Sequence, residues 1–117
     1  MKEIARKALL YDFYGELLTE HQKKVYEDAV MNDFSLSELA EEYGVSRQGI
    51  HDLLKRCDAI LEGYEEKLKL IERFGLLKKT AESLKGDLEE LKSLTGEKER
   101  NERIDVLKEK IASMESL

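Results

Sequence analysis

The segment that most constrains this chain runs from Phe34 to Tyr64, FSLSELAEEYGVSRQGIHDLLKRCDAILEGY, where two apolar stripes of helical period meet at Gly44-Val45. Ser35 and Glu38 have the spacing of a capping box, with Phe34 and Leu39 placed as its hydrophobic staple. Leu36, Leu39, Ala40 and Tyr43 recur at intervals of three and four and form one face of a short helix. Gly44 ends it, because glycine enters the left-handed region without steric cost. Val45 is placed to plug the angle between the helices, and Ser46 is a good N-cap for the next one. Ile50, Leu53, Leu54, Cys57, Ile60, Leu61 and Tyr64 then share one side of the second helix. This is the pattern of a helix-turn-helix.

The polar side of the second helix carries Arg47, Gln48, His51, Asp52 and Lys55 in its first turns. In a helix-turn-helix those turns face base edges in the major groove. Arginine forks onto the guanine acceptors and glutamine makes a paired contact with adenine. The charge balance pulls the other way. Residues 35–67 hold four Lys and Arg (Arg47, Lys55, Arg56, Lys67) against eight Asp and Glu, and the whole chain stands at −6. A protein that neutralises phosphates normally shows a basic face. Asp52, beside the contact candidates, repels phosphate unless it accepts from a cytosine amino group. Nucleic-acid binding by this motif is therefore expected to be weak or steeply salt-dependent, or helped by dimerisation, with a protein-binding role for the same scaffold as the alternative.

No proline and 39% charged residues indicate an all-helical chain. Its apolar runs are too short to span a membrane, and the start MKEIARKALLYDFY lacks the apolar core and cleavage site of a secretory signal, so a cytoplasmic protein is expected. Cys57 is the single cysteine and sits on the apolar stripe, as a buried small hydrophobe does. His21 and His51 with one cysteine give no metal-ligand spacing, and no cofactor is expected. Nothing offers a nucleophile with its base or a glycine-rich phosphate cradle, so the chain does not read as an enzyme.

Ile4, Ala8, Leu10, Tyr11, Phe13, Tyr14, Leu17 and Leu18 are dense enough to predict a first helix over 4–18 that is largely buried. Thr19 and Gln22 form a second capping box, for a helix reaching about Met31 before Asn32-Asp33 breaks it. Lys23 and Lys24, near its start, are placed to touch either a phosphate backbone or water. The helix that opens at Ser46 has no strong stop and is expected to run through Gly63 to Phe74, with Gly75 as its end. Leu77, Ala81, Leu84, Leu88 and Leu91 then follow a heptad seam, which Thr95-Gly96 interrupts and Ile104, Leu107, Ile111 and Met114 resume. Two domains follow: a helix-turn-helix domain over 1–67 and a C-terminal helical arm over 68–117. The arm balances eleven basic against eleven acidic residues. It either folds back as an antiparallel hairpin or pairs with a second chain. GEKERNER, residues 96–103, is expected to be its most mobile stretch.

Three helices over 19–64, the last two forming the motif, resemble the fourth conserved region of bacterial sigma factors, which reads the −35 promoter element. With the segments YDFYGELLTEHQKKVYE and DFSLSELAEEYGVSRQGIHDLLKRCDAILEGYEEKL included, the chain resembles the YlxM family of small bacterial proteins over about residues 4–68. That resemblance implies a sigma region 4-like all-α bundle with a coiled-coil-like extension. It implies a homodimer that binds DNA or the RNA of the signal recognition particle, or associates with the particle's protein, and modulates that pathway. The positions carried over as nucleic-acid contacts are Arg47, Gln48, His51 and Lys55. Asp52 in an acidic surround departs from the pattern.

Overall fold

The computed structural model describes residues 3–116 and contains no strand among them. Its helices are α1 (Glu3–Tyr14), α2 (Glu20–Val30), α3 (Leu36–Tyr43), α4 (Arg47–Leu68), α5 (Leu70–Ser93) and α6 (Glu97–Glu115), with a 3-10 turn over Gly15–Leu17. The fold is an all-α helix-turn-helix bundle with a C-terminal helical extension. Two compact units divide the chain, Met1–Ile71 and Glu72–Leu117.

Within the first unit the local signals act as the sequence requires. Thr19 and Ser35 each head a reciprocal capping box, with Gln22 and Glu38. Ser46 Oγ accepts from the Gly49 N–H at 3.0 Å and opens α4. Gly44 takes φ 65° and closes α3. Two apolar clusters form around these turns. Leu10, Tyr14, Leu18, Tyr26, Cys57 and Leu61 make one, and Val25, Leu39 and Ile50 the other; Leu53 and Leu54 of α4 pack against both. Burying a side chain of this size is worth roughly 1.5–3 kcal/mol, so α4, which supplies residues to both clusters, is the spine of the unit.

Four tyrosines fasten the helices by donating to carboxylates on their neighbours. Tyr26 of α2 reaches Asp58 of α4 at 2.8 Å, and Tyr43 of α3 reaches Asp28 of α2 at 2.8 Å. Tyr11 of α1 reaches Glu27 of α2 at 2.8 Å, and Tyr14 of α1 reaches the buried Glu65 of α4. Arg6 adds a two-pronged pair with Glu62, both contacts at 2.7 Å. The hydrogen bond from Arg6 holds the Glu62 carboxyl below its ordinary range. Several carboxylates of this acidic unit are thus internal fasteners.

Four expectations need correction. The first helix stops at Tyr14 and is not largely buried: Ile4 is 70% and Leu17 54% exposed, because only one side of α1 meets the cluster. Val45 does not plug the interhelical angle; it is 49% exposed, and Leu39 and Ile50 close the gap instead. The helix from Ser46 ends at Leu68 and not at Phe74, since Lys69 turns left-handed at φ 58°. The new helix that starts at Leu70 passes through Gly75 and Gly86 without a break. The physical reason is a cap built from afar: Glu65 Oε1 accepts from the Ile71 N–H at 3.0 Å, and the Tyr14 hydroxyl accepts from the Leu70 N–H at 3.1 Å. These satisfy the donors that a helix start leaves open. Finally, most of GEKERNER is helix, in the opening turns of α6, and Arg103 there pairs with Glu90 at 3.0 Å.

In the second unit α5 and α6 fold back antiparallel. Arg103 faces Glu90, while Lys110, seven residues further along, faces Asp87 and Ser83. Leu107 is buried, and Leu77, Ala81, Leu84 and Leu91 are half-buried along the seam. Leu88 and Ile111, expected in that seam, stay 53% and 47% exposed.

Candidate nucleic-acid interface

The polar side of the first turns of α4 faces away from the apolar clusters, which Ile50 on the other side joins. Arg47, Gln48, His51 and Lys55 are all exposed. Arg47, Gln48 and His51 border one shallow depression of about 410 Å³, whose remaining wall is Leu36 of α3; Lys55 lies outside it. Ser46 fixes the start of α4, and Ile50, one residue before His51, is 1% exposed and anchors this end of the helix. The candidate residues therefore sit on a rigid frame.

The α-helical repeat sorts them into two rows. Arg47, His51 and Lys55 are spaced by four and lie one above another, and Gln48 and Asp52 form the adjacent row. At 1.5 Å per residue the first row extends over about 12 Å, comparable to the width of the major groove. In the second row Gln48 Nε2 donates to Asp52 Oδ1 at 2.9 Å, and Asp52 Oδ1 also lies 3.7 Å from His51 Nδ1. Asp52 thus holds the glutamine amide in place, a role besides the phosphate repulsion or cytosine contact expected of it. The signal was there, because four-residue spacing on a helix lets Gln and Asp meet.

Ion pairing divides the cations of the unit. Lys7 lies 3.5 Å from Glu3 and 3.3 Å from Asp58, Lys23 lies 3.0 Å from Glu16, and Arg6 is held by Glu62. Arg47, Lys55 and Arg56 form no ion pair among the described residues, nor does Lys24. The cations left available are therefore these three on α4, Lys67 near the far end of the same helix, Lys69 just beyond it, and Lys24 on α2. The same residues were invisible as a group in the net charge, because Glu27, Asp28, Asp58, Glu62 and Glu65 are already engaged by side chains of the same unit. No group of His, Cys, Asp or Glu among the described residues is arranged to hold a metal ion. No helix among them is long and apolar enough to cross a membrane.

Residues 1–112 match the sequence profile of a family described as "Putative helix-turn-helix protein, YlxM / p13 like". The UPF0122 protein YlxM of Bacillus subtilis is 46% identical over 85 residues, covering 73% of this chain and 77% of that protein. A UPF0122 protein of Bacillus licheniformis is 43% identical over 107 residues, 92% of this chain and 94% of its own length. A Thermoanaerobacter relative is 41% identical over 104 residues, 89% and 86% of the two chains. The matched span includes both capping boxes, the Gly44 turn and the exposed row on α4, and on that footing the chain belongs to the UPF0122 family of YlxM/p13-like helix-turn-helix proteins.

Proposed function

We propose that this protein is a non-enzymatic regulator that binds nucleic acid through the first turns of α4. The observation that carries the reading is the row Arg47, His51 and Lys55 beside Gln48, exposed on the second helix of a helix-turn-helix, with Arg47 and Lys55 outside every ion pair among the described residues. Arg47 and Gln48 read base edges, and Lys55 contacts the backbone. The resemblance to the YlxM family supplies the finer part. The protein acts in the cytoplasm as a homodimer that modulates the signal recognition particle pathway, with DNA or the particle's RNA as target. The α5–α6 hairpin, whose Leu88 and Ile111 face solvent, serves as the pairing element of two copies. Light scattering of Leu88→Glu and Ile111→Glu tests that part, a loss of the dimer being expected.

Fluorescence anisotropy tests the reading against three probes: DNA from upstream of its own operon, signal recognition particle RNA and scrambled duplex. The expected result is preference for one specific probe at physiological salt, reduced about fivefold or more in Arg47→Ala, as loss of a paired base contact worth ~1–3 kcal/mol requires. Uniform weak binding that vanishes with salt overturns it.

One observation favours a second reading, a protein adaptor for a component of the secretion machinery, such as the particle's protein. The full charge of −6 falls on residues 1–67, because the remaining fifty are neutral. Such a surface attracts a basic protein as strongly as it discourages phosphate. An adaptor retains its partner through nuclease treatment of a native lysate; an association bridged by nucleic acid does not.

A further inference from the structure

A trough of about 450 Å³ lies between the start of α1, the end of α2 and the middle of α4. Val30, Phe34 and Leu54 line it half-buried, and Tyr26, tied to Asp58, closes one wall. Ile4 borders it while 70% exposed and so continues the apolar surface outward. The rim is acidic in effect. Its one cation, Lys7, already lies between Glu3 and Asp58. Asp33 is exposed and has no hydrogen bond or ion pair among the described residues.

We propose that this trough receives a basic amphipathic helix of a partner protein, with aliphatic side chains seated on Val30, Phe34 and Leu54 and a Lys or Arg against Asp33. Three features select that occupant. The trough's volume falls in the range of built binding pockets, roughly 300–1,000 Å³. An amphipathic helix presents anchors at i, i+3 or i+4, and i+7, which a trough floored by an apolar strip and continued by Ile4 accommodates. The free carboxylate at the rim, on a unit carrying five of the chain's six net negative charges, favours a cationic flank and repels an acidic one. The inference uses none of the base-reading residues, so it stands or falls separately from nucleic-acid binding.

The test titrates the full-length protein into a fluorescein-labelled helical peptide of about 18 residues made of Leu and Lys in amphipathic order, at about 0.15 M salt, where weakly placed surface charges are largely screened. Two matched pairs of substitutions separate the trough from general acidity. Ile4→Gln and Asp33→Asn alter the trough, while Val45→Gln and Glu41→Gln remove an exposed apolar group and an exposed carboxylate elsewhere. All four positions are exposed, so the fold is retained. The expected result is binding weakened about fivefold or more by Ile4→Gln, the scale of burying one aliphatic side chain, and about two- to fivefold by Asp33→Asn, the scale of one exposed ion pair, with less than about twofold for each control. A peptide of the same composition with its leucines scattered binds at least about tenfold more weakly. Equal loss in the trough and control pairs, equal binding of the scattered peptide, or no binding at all overturns the proposal.

Discussion

Replacing Tyr14 by Phe removes one oxygen from a side chain that is 0% exposed, and the structure sets what that oxygen is worth. The hydroxyl donates to Glu65 and accepts from the Leu70 N–H at 3.1 Å. A hydrogen bond to a charged acceptor contributes about 1.5–3 kcal/mol. The Leu70 N–H is neutral and its contact only part-buried, so the second loss counts for less than the first. The expected cost is therefore about 2 kcal/mol. Glu65→Ala leaves the Tyr14 hydroxyl buried without its acceptor, at about 1–3 kcal/mol, and uncaps Ile71, at about 1 kcal/mol more. Its cost is about 3 kcal/mol. The double variant leaves no orphaned hydroxyl, so it should cost about 3 rather than 5 kcal/mol, a coupling near 2 kcal/mol. Urea unfolding followed by tyrosine fluorescence reads this in the correct unit, because the chain has no tryptophan and all five tyrosines lie between residues 11 and 64. Single variants within about 0.5 kcal/mol of the parent, or additive singles, would refute the reasoning that these two groups jointly end α4 and start α5.

Lys69→Gly should raise stability by about 0.5–1 kcal/mol in the same assay, since glycine removes the side-chain penalty of φ 58° at some entropic cost; a loss would mean the lysine side chain itself stabilises the break. Burial and hydrogen bonds to carboxylates push the phenols of Tyr11 and Tyr43 up to about 12, and Tyr14 and Tyr26 are raised by the same causes. Folded values above the ordinary one of about 10 mean that this stabilisation is complete below that pH and is lost as the pH rises through the folded values. Melting temperatures by circular dichroism should accordingly fall steeply above about pH 10, and a flat profile to pH 12 would contradict the four fasteners. Burial, reinforced by Asp58, pushes the Cys57 thiol up to about 11. Reaction with a thiol reagent near pH 8 should then be slow in the native protein and fast in urea, and rapid labelling of the native state would show that Cys57 is not enclosed.

Much of the first unit is legible in the sequence because its determinants are local. The capping boxes at Thr19 and Ser35, the Ser46 cap and the Gly44 turn each involve residues within a few positions of one another. The tyrosine fasteners are not legible, since Tyr14 and Glu65 are 51 positions apart and Glu65 reads as one more solvated carboxylate on a helix. The break at Lys69 is hidden for a related reason: nothing in Lys69 itself stops a helix, and the cap that starts the next one is shared between Glu65 and the distant Tyr14 of α1. Gly75, the expected end, is a permissible helix residue once α5 has been capped elsewhere. At the candidate interface, the identities Arg47, Gln48, His51 and Lys55 come from the motif alone. Their contrast with the rest of the unit does not, because it depends on which carboxylates are already engaged inside the fold.

The central claim, that nucleic acid is read by the exposed row on α4, is tested most directly by amide chemical-shift mapping of the full-length protein. The labelled protein is titrated with operon-upstream duplex and with signal recognition particle RNA. Reading by this row predicts shifts concentrated at residues 46–52 and Lys55 with one of these probes, and their disappearance in Arg47→Ala. Shifts scattered over the surface, shifts confined to the Val30, Phe34 and Leu54 trough, or none at physiological salt would contradict it.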